Sequence, residues 1–144
     1  MIIVMKKKEL GLSLKLVTTS DTKFLFDLLK ERDDRTNLSH KKMPTYKEHT
    51  KFIKSKPYTK WYIVLKSKQK IGSVYLSKND EVGVFISKKF QGQNIGDVAL
   101  CELMKKNPRK RFLANLNPKN KKSISFVTSN GFKLIQYTFE LSKT

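Results

Sequence analysis

The chain opens with a strand-like pattern followed by a helix-like one. Leucines alternate with polar residues over residues 12–17, which is typical of a half-buried β-strand. Apolar residues then recur at i, i+4 spacing within residues 19–34, and Ser20 or Asp21 can cap a helix there. A polar stretch at residues 34–44 reads as a loop. The first quarter of the chain therefore predicts a β-α unit.

The middle of the chain predicts a short helix and three strands. Thr45 and Glu48 match the capping box Thr-x-x-Glu, so a helix should begin near Tyr46. Three runs rich in β-branched and aromatic residues follow, which favours strands joined by tight turns. These runs are KWYIVLKS at residues 60–67, IGSVYLS at 71–77 and EVGVFIS at 81–87.

The last third alternates again between helix and strand. A helix is predicted from about residue 94 to Pro108, and KRFLANL at residues 110–116 reads as a strand. A helix ending at Asn130-Gly131 and a last strand over residues 132–141 follow. The predicted order is β-α-α-β-β-β-α-β-α-β, an α/β chain with at least one crossover.

Composition limits the function classes. The 144 residues predict one domain, spanning residues 1–144, and the 38% hydrophobic content predicts a packed core. No run approaches 18 apolar residues and no secretory signal is recognisable, so a cytoplasmic protein without membrane contact is expected. One cysteine and two histidines give neither a disulfide nor a metal-ligand pattern. A monomer or a homodimer is expected.

The formal net charge of +19 indicates an anionic partner: a nucleic acid, an acidic membrane surface or a phosphorylated small molecule. A bias towards AT-rich codons would also produce it, because only four of the 31 basic residues are arginines. The lysines are spread over the chain rather than forming one block, so a nucleic-acid partner is not expected.

A loop between the third middle strand and the next helix can hold phosphate. Residues 88–100 read KKFQGQNIGDVAL. The first backbone N–H groups of a helix have no intrahelical partner, and with the helix dipole they attract anions. Gly92, Asn94 and Gly96 are residues that let the backbone approach a phosphate closely. A tight turn without a ligand is the alternative.

Two segments carry a family resemblance. The stretch Gln91-Gly92-Gln93-Asn94-Ile95-Gly96 resembles motif A of the GNAT acyltransferase superfamily. Residues 117–132 resemble its Asn-x-x-Ser and Gly-Phe segment, with Asn120, Ser123, Gly131 and Phe132 in register. The resemblance covers about residues 12–141. It implies a mixed, mostly antiparallel sheet of about six strands flanked by about four helices.

The resemblance also implies the activity: transfer of an acyl group, usually acetyl, from coenzyme A to an amine. Acetyl-CoA would be the cosubstrate. Its pantetheine arm would bond the backbone of Phe85, Ile86 and Ser87, and its pyrophosphate the loop. Asn120 and Ser123 would shape the same side. The expected cofactor-binding residues are Phe85, Ile86, Ser87, Gln91, Gly92, Gln93, Asn94, Ile95, Gly96, Asn120 and Ser123.

Two positions depart from the family pattern. Asn94 stands where the motif has its first glycine, which adds a side chain near the phosphates. Val127 stands where many members have a tyrosine that protonates the leaving thiolate. A thiol with an ordinary pKa near 8.5 can leave without that help. The branch that the chain resembles acetylates ribosomal proteins or nucleotide-linked amino sugars.

The acceptor side offers several candidates. An amine must lose a proton to attack, and Glu81 is the candidate base. Its alternative role is a solvated glutamate in a turn. Arg32 and Arg35 are candidates for an anionic group of the acceptor, or are surface charges. His49 is a candidate base or substrate contact, or a packed helix residue, and Tyr75 a candidate wall of the pocket. The amino group of a nucleotide-linked sugar is the expected acceptor. Open alternatives are a protein N-terminal amine, a polyamine, and a non-catalytic module that binds RNA or another polyanion.

Overall fold

The computed structural model describes residues 7–32 and 42–143. Four strands form one antiparallel sheet in the order β1-β2-β3-β4. They are β1 (Leu12–Leu16), β2 (Lys60–Lys66), β3 (Gln69–Leu76) and β4 (Val82–Ile86). The principal helices are α1 (Thr22–Lys30), α2 (Tyr46–Lys54), α3 (Ile95–Lys106) and α4 (Lys121–Ser129). Residues 7–10 add a helical turn, and Thr19–Asp21 and Lys88–Phe90 add 3-10 turns.

Local sequence signals explain several of these boundaries. The Thr45 hydroxyl accepts from Glu48 N at 3.1 Å and the Glu48 carboxylate accepts from Thr45 N at 2.9 Å, so the predicted capping box starts α2. Ser67 and Lys68 both have positive φ, as a two-residue hairpin turn between β2 and β3 requires. The predicted hairpin is therefore confirmed.

The sheet separates two hydrophobic cores. Because neighbouring side chains of a strand point to opposite faces, Val64 and Ile63 enter different cores. Val64 packs with residues of α3 such as Val98 and Leu103. Ile63 packs with Leu25 of α1 and with α2. Helix α3 thus covers one face of the sheet, and α1 and α2 cover the other.

The predicted fold class is confirmed, but its count of about six strands is too high. Residues 110–116 make only one parallel bridge to the described residues, between Leu113 and Glu81. Residues 133–143 form no strand and are exposed throughout. Both runs have strand-like sequences. A strand also needs a hydrogen-bonded neighbour along its length, and within the described residues neither run has one.

Candidate active site

The loop between β4 and α3 presents a row of free backbone N–H groups. Gly92 has φ +81° and Asn94, the N-cap of α3, has φ +62°, so both occupy the left-handed region. None of the N–H groups of residues 92–97 donates a hydrogen bond within the described part of the chain. The concave loop at the positive end of a 12-residue helix is suited to an anion.

Side chains brace the loop from both sides. The Gln91 amide donates to the Ile86 carbonyl at 2.9 Å, and its oxygen accepts from Lys122 Nζ of α4 at 2.9 Å. Lys66 Nζ at the end of β2 donates to Gln93 Oε1 at 3.3 Å. Gln91 therefore fixes the loop to β4, while the two lysines add positive charge beside the free N–H groups.

A missed residue, Glu31, ties the end of α1 to the beginning of this loop. Its carboxylate accepts from Ser87 Oγ at 3.0 Å and from Lys88 N at 2.8 Å. The residues are 56 and 57 positions apart in sequence, so no local motif predicts the contact.

The outer edge of β4 is open between Val82, which bonds to Leu113, and the Ile86 carbonyl, which accepts from the Gln91 side chain. Ser87 N donates to the Ile71 carbonyl and Ser77 N to the Glu81 carbonyl, so odd-numbered residues of this strand face β3. The backbone groups of Phe85 and Ser87 therefore point into the sheet. Those of Val84 and Ile86 point outwards, as does Val82, whose N–H donates to the Leu113 carbonyl at 2.7 Å. Val84 is not among the cofactor-binding residues predicted from the sequence.

Asn120 and Ser123 form a helix cap at the start of α4. The Asn120 side chain accepts from Ser123 N at 3.1 Å. This Asn-x-x-Ser spacing is the geometry of an N-cap, so it has a structural explanation. Phe126 of α4 lies beside Gly96, where an added Cβ would come within 3.2 Å of the ring. Gly96 thus allows α3 and α4 to approach closely.

Glu81 lies at the other end of β4, in a cleft of about 170 Å³. Its carboxylate accepts from Ser77 Oγ at 3.0 Å and from the Asn115 side-chain amide. The residues that line the cleft are Tyr58, Tyr75, Ser77, Glu81, Val82 and Asn115. The carboxylate is held by two donors and still faces a partly apolar space, as a base for a bound amine must.

An aromatic row leads from this cleft towards α1. The Tyr58 and Tyr75 rings are stacked at 4.0 Å, and Tyr75 stacks on Phe85 at 6.2 Å. The Arg32 guanidinium lies 4.3 Å from the centre of the Phe85 ring. Burial raises the pKa of Tyr58 and of Tyr75, so both hydroxyls stay protonated at neutral pH. Burial also lowers the pKa of Arg32.

The other predicted acceptor residues lie elsewhere. His49 is buried against Phe26, with ring centres 5.6 Å apart, and it does not line the cleft. Burial lowers the pKa of His49, which favours the neutral imidazole. Arg35 lies outside the described residues. Of the acceptor candidates, the structure brings together Glu81, Tyr75 and Arg32, and adds Tyr58, Ser77 and Asn115.

Comparison with protein families decides the identity. The family described as acetyltransferase (GNAT) domain matches residues 12–133. The chain belongs to the GNAT acetyltransferase family. A search of curated protein sequences gives no significant match.

Solved structures of several acetyltransferases share this fold. An acetyltransferase from Thermus thermophilus is 18% identical with a TM-score of 0.70, over 88% of this chain and 90% of that one. RimL, the ribosomal L7/L12 α-N-protein acetyltransferase in complex with coenzyme A, is 17% identical with a TM-score of 0.68, over 88% and 82%. Mutant forms of the spermidine/spermine N-acetyltransferase SpeG from Vibrio cholerae are 14% identical with a TM-score of 0.69, over 85% and 80%.

Membership of the GNAT family makes acetyl-CoA the cosubstrate. The geometry fits that ligand, because the N–H groups of residues 92–97 have no acceptor among the described residues and can bind a phosphate, while the outward edge of β4 offers amide partners. Among residues 7–32 and 42–143, every helix is too short or too polar to cross a membrane.

Proposed function

We propose that this protein transfers the acetyl group of acetyl-CoA to the primary amine of a nucleotide-linked amino sugar. The observation that carries the proposal is the Glu81 carboxylate, which faces an aromatic cleft at one end of β4 while the anion-binding loop lies at the other. Donor and acceptor would meet along the open edge of this strand.

The donor half uses mainly backbone groups. The N–H groups of residues 92–97 bind the pyrophosphate, and Gln91 holds the loop in position. The pantetheine amides bond the outward backbone groups of Val84 and the N–H of Ile86, whose carbonyl already accepts from Gln91. Those of Phe85 and Ser87 pair with β3. When bound, the cosubstrate supplies an acetyl thioester.

The acceptor half supplies the base. Glu81 takes a proton from the acceptor ammonium, and the freed nitrogen attacks the acetyl carbonyl. The C–S bond then breaks with its electron pair going to sulfur, and the nitrogen releases its second proton to water. Ser77 and Asn115 hold the carboxylate with its oxygens towards the cleft. Val127 has no proton to donate, so the departing sulfur is protonated by water, which an ordinary thiol pKa near 8.5 permits.

The charge of the protein favours an anionic acceptor. A net charge of +19 attracts a nucleoside diphosphate and repels a polyamine. The stacked Tyr58 and Tyr75 rings offer a flat wall to a sugar or base, and Arg32 lies one ring further along the same row.

A thiol-release assay with acetyl-CoA and a panel of amines tests the acceptor. We expect kcat/KM for a nucleoside diphosphate amino sugar to exceed that for spermidine or a short peptide with a free N-terminus at least tenfold, about 1.4 kcal/mol. The free amino sugar without its nucleotide is the matched control, and its kcat/KM should be as low as those of spermidine and the peptide. A peptide or spermidine as the best substrate would overturn the acceptor assignment and leave the transferase intact.

A thermal shift assay tests the donor separately. Acetyl-CoA at about 100 times its Kd should stabilise the fold by about 2.7 kcal/mol. If neither acetyl-CoA nor coenzyme A shifts the transition, while RNA binds with an affinity that falls steeply with salt, the protein is a polyanion-binding module instead.

The conformation of Asn94 gives a prediction for the loop. Asn94→Ala should weaken acetyl-CoA binding about fivefold, because alanine tolerates the left-handed φ of +62° less well, by about 1 kcal/mol. Asn94→Gly is the matched control and should bind at least as well as the wild type. The Kd is measured by calorimetry. Equal affinity in both variants would mean that the backbone conformation of Asn94 does not determine the affinity for acetyl-CoA.

A further inference from the structure

The end of α1 carries a carboxylate that is unfavourable for two electrostatic reasons. Glu31 is the C-cap of α1, and its N–H donates to the carbonyls of Leu28 and Leu29. A negative charge is disfavoured at this end of a helix, because the helix dipole is negative there. The carboxylate also contacts the residues that lead into the anion-binding loop, where its charge opposes the binding of a phosphate. A residue that conflicts with its surroundings in this way is expected to have a function.

The compensation is a cap that Glu31 supplies to the 3-10 turn after β4. Ser87 is the N-cap of this turn, but its side chain makes no capping hydrogen bond. Its hydroxyl instead donates to the Glu31 carboxylate at 3.0 Å, and the first N–H of the turn, on Lys88, donates to the same carboxylate at 2.8 Å. Glu31 therefore satisfies, from another helix, an N–H group that has no partner inside the turn.

This cap connects a packed helix to the start of the loop. Helix α1 is held against the sheet through Leu25, which is buried in the core cluster on that face. The 3-10 turn is followed directly by Gln91, whose side chain bonds the Ile86 carbonyl, and then by residues 92–97. The direction in which the N–H groups of residues 92–97 point therefore depends on where Glu31 holds the beginning of the turn.

We propose that Glu31 is a positioning residue for the cosubstrate: its hydrogen bonds to Ser87 and Lys88 fix the loop in the conformation that binds the pyrophosphate of acetyl-CoA. Ser87 then acts through Glu31 rather than on the pantetheine, because its N–H donates to Ile71 and its hydroxyl to Glu31. This role rests on the proposed pyrophosphate site at residues 92–97 and is independent of the acceptor.

Two variants of Glu31 separate its hydrogen bonds from its charge. Glu31→Ala removes both bonds and should raise the Kd for acetyl-CoA about tenfold, because losing bonds to a charged group lowers the fraction of molecules with a competent loop. Glu31→Gln removes the charge, but its amide can still bond Lys88 N and Ser87 Oγ. Its Kd should equal the wild-type value or lie below it. Calorimetry on the full chain measures both, and a glutamine variant as weak as the alanine variant would overturn the proposal.

Asp27→Ala is the matched control. It removes a carboxylate from the same helix, one turn earlier, and changes the net charge by the same amount. Asp27 pairs with Lys23 and Lys30 on the exposed side of α1, so the Kd for acetyl-CoA should stay within about twofold of the wild type. An equal loss of affinity in Asp27→Ala and Glu31→Ala would mean that net charge or helix stability is responsible, and not the contact with the loop.

A double-mutant cycle with Ser87→Ala tests how the effect reaches the loop. Ser87→Ala alone should raise the Kd about threefold, because the bond from Lys88 N remains. If Ser87 acts through Glu31, the double variant should bind acetyl-CoA at most about twofold more weakly than Glu31→Ala. If Ser87 contacts the pantetheine instead, the two losses multiply, and the proposed role of Ser87 is wrong.

The wild type and Asn94→Ala distinguish the role of Glu31 from the pyrophosphate site itself. If Asn94→Ala weakens acetyl-CoA binding and Glu31→Ala does not, the loop binds the cosubstrate without Glu31, and the positioning role fails alone. If the wild type does not bind acetyl-CoA, the proposed donor site fails and the role of Glu31 fails with it. Circular dichroism checks each variant. Should Glu31→Ala not fold, Ser87→Ala must weaken binding and Glu31→Gln must not, or the proposal is wrong.

Discussion

Glu81→Gln should lower kcat/KM with the acceptor amine about 100-fold, because Glu81 is the only carboxylate among the described residues that line the cleft. General-base catalysis contributes roughly 10²–10⁴ in rate, and the lower figure applies because water can still accept the proton. Glutamine keeps the shape, and its single oxygen keeps the hydrogen bond from either Ser77 or Asn115. Neither donor belongs to the loop of residues 91–96, so the acetyl-CoA affinity should not change. Steady-state kinetics and acetyl-CoA binding by calorimetry measure both quantities.

The matched control is the neighbouring carboxylate. Asp80→Asn makes the same chemical change one residue earlier, and asparagine tolerates the φ of +61° at this position. The Asp80 carboxylate pairs with Arg109 at 3.0 Å and does not line the cleft. An exposed ion pair of this kind contributes little, so kcat/KM should stay within about twofold of the wild type.

Raising the pH distinguishes a base from a positioning group. Above the pKa of the acceptor amine, about 8 for an α-amino group, the amine is already neutral and needs no base. The defect of Glu81→Gln should therefore shrink as pH rises through that value. A defect that stays constant up to high pH would mean that Glu81 orients the acceptor without taking its proton.

The conformation of the candidate donor loop could be predicted largely from the sequence. The loop is contiguous, and glycine and asparagine at residues 92–96 imply the positive φ angles that the structure has at Gly92 and Asn94. The orientation of the β4 backbone could not be predicted in the same way. Which of Val84, Phe85 and Ile86 faces outwards depends on the register with β3, and a shift of one residue reverses every assignment.

The acceptor half depends on contacts between residues far apart in sequence. Tyr58 stacks on Tyr75, and Asn115 reaches Glu81 over 34 positions, without any local motif that would predict either contact. For His49 the sequence left two roles open, a substrate contact and a packed helix residue. A histidine in a short helix suggests chemistry, but α2 turns this side chain towards Phe26 in the space between α1 and α2.

The overestimated strand count comes from the apolar-polar alternation of residues that form no strand. Residues 132–141 have a strand-like pattern, and the structure does extend the chain from residue 133. The alternation shows which side chains favour burial on one face of a strand. It does not show which neighbouring strand supplies the backbone hydrogen bonds. A single sequence cannot distinguish an edge in the same chain from one in a second copy.

Asp21→Asn should strongly destabilise the fold. Asp21 is fully buried, and its carboxylate lies 2.7 Å from Lys15 Nζ and 2.6 Å from Lys70 Nζ. It also accepts from Thr18 N at 2.8 Å, so it joins β1, β3 and the start of α1. Burial alone would raise the pKa of Asp21, but the two lysines and the Thr18 N–H outweigh it and lower the pKa to about 2.

The size and pH dependence follow from this pKa. A fall from 3.8 to about 2 corresponds to roughly 2 kcal/mol of stability. Because the folded pKa lies below the unfolded one, this stability is present above about pH 4 and is lost as pH falls towards 2. The variant should unfold roughly 6 °C lower at neutral pH, and its difference from the wild type should close between these two pH values. Calorimetry across this range measures it.

Asp27→Asn provides the matched control for this carboxylate. Asp27 pairs with Lys23 and Lys30 on the exposed side of α1, so both lysines remain hydrated when the charge is removed. Its melting temperature should therefore stay close to that of the wild type. If Asp21→Asn melts together with Asp27→Asn, or its deficit persists unchanged down to pH 2, then the ion pairs of Asp21 do not stabilise the folded state. The junction of β1, β3 and α1 would then be held by apolar packing alone, to which Leu25 and Ile63 contribute.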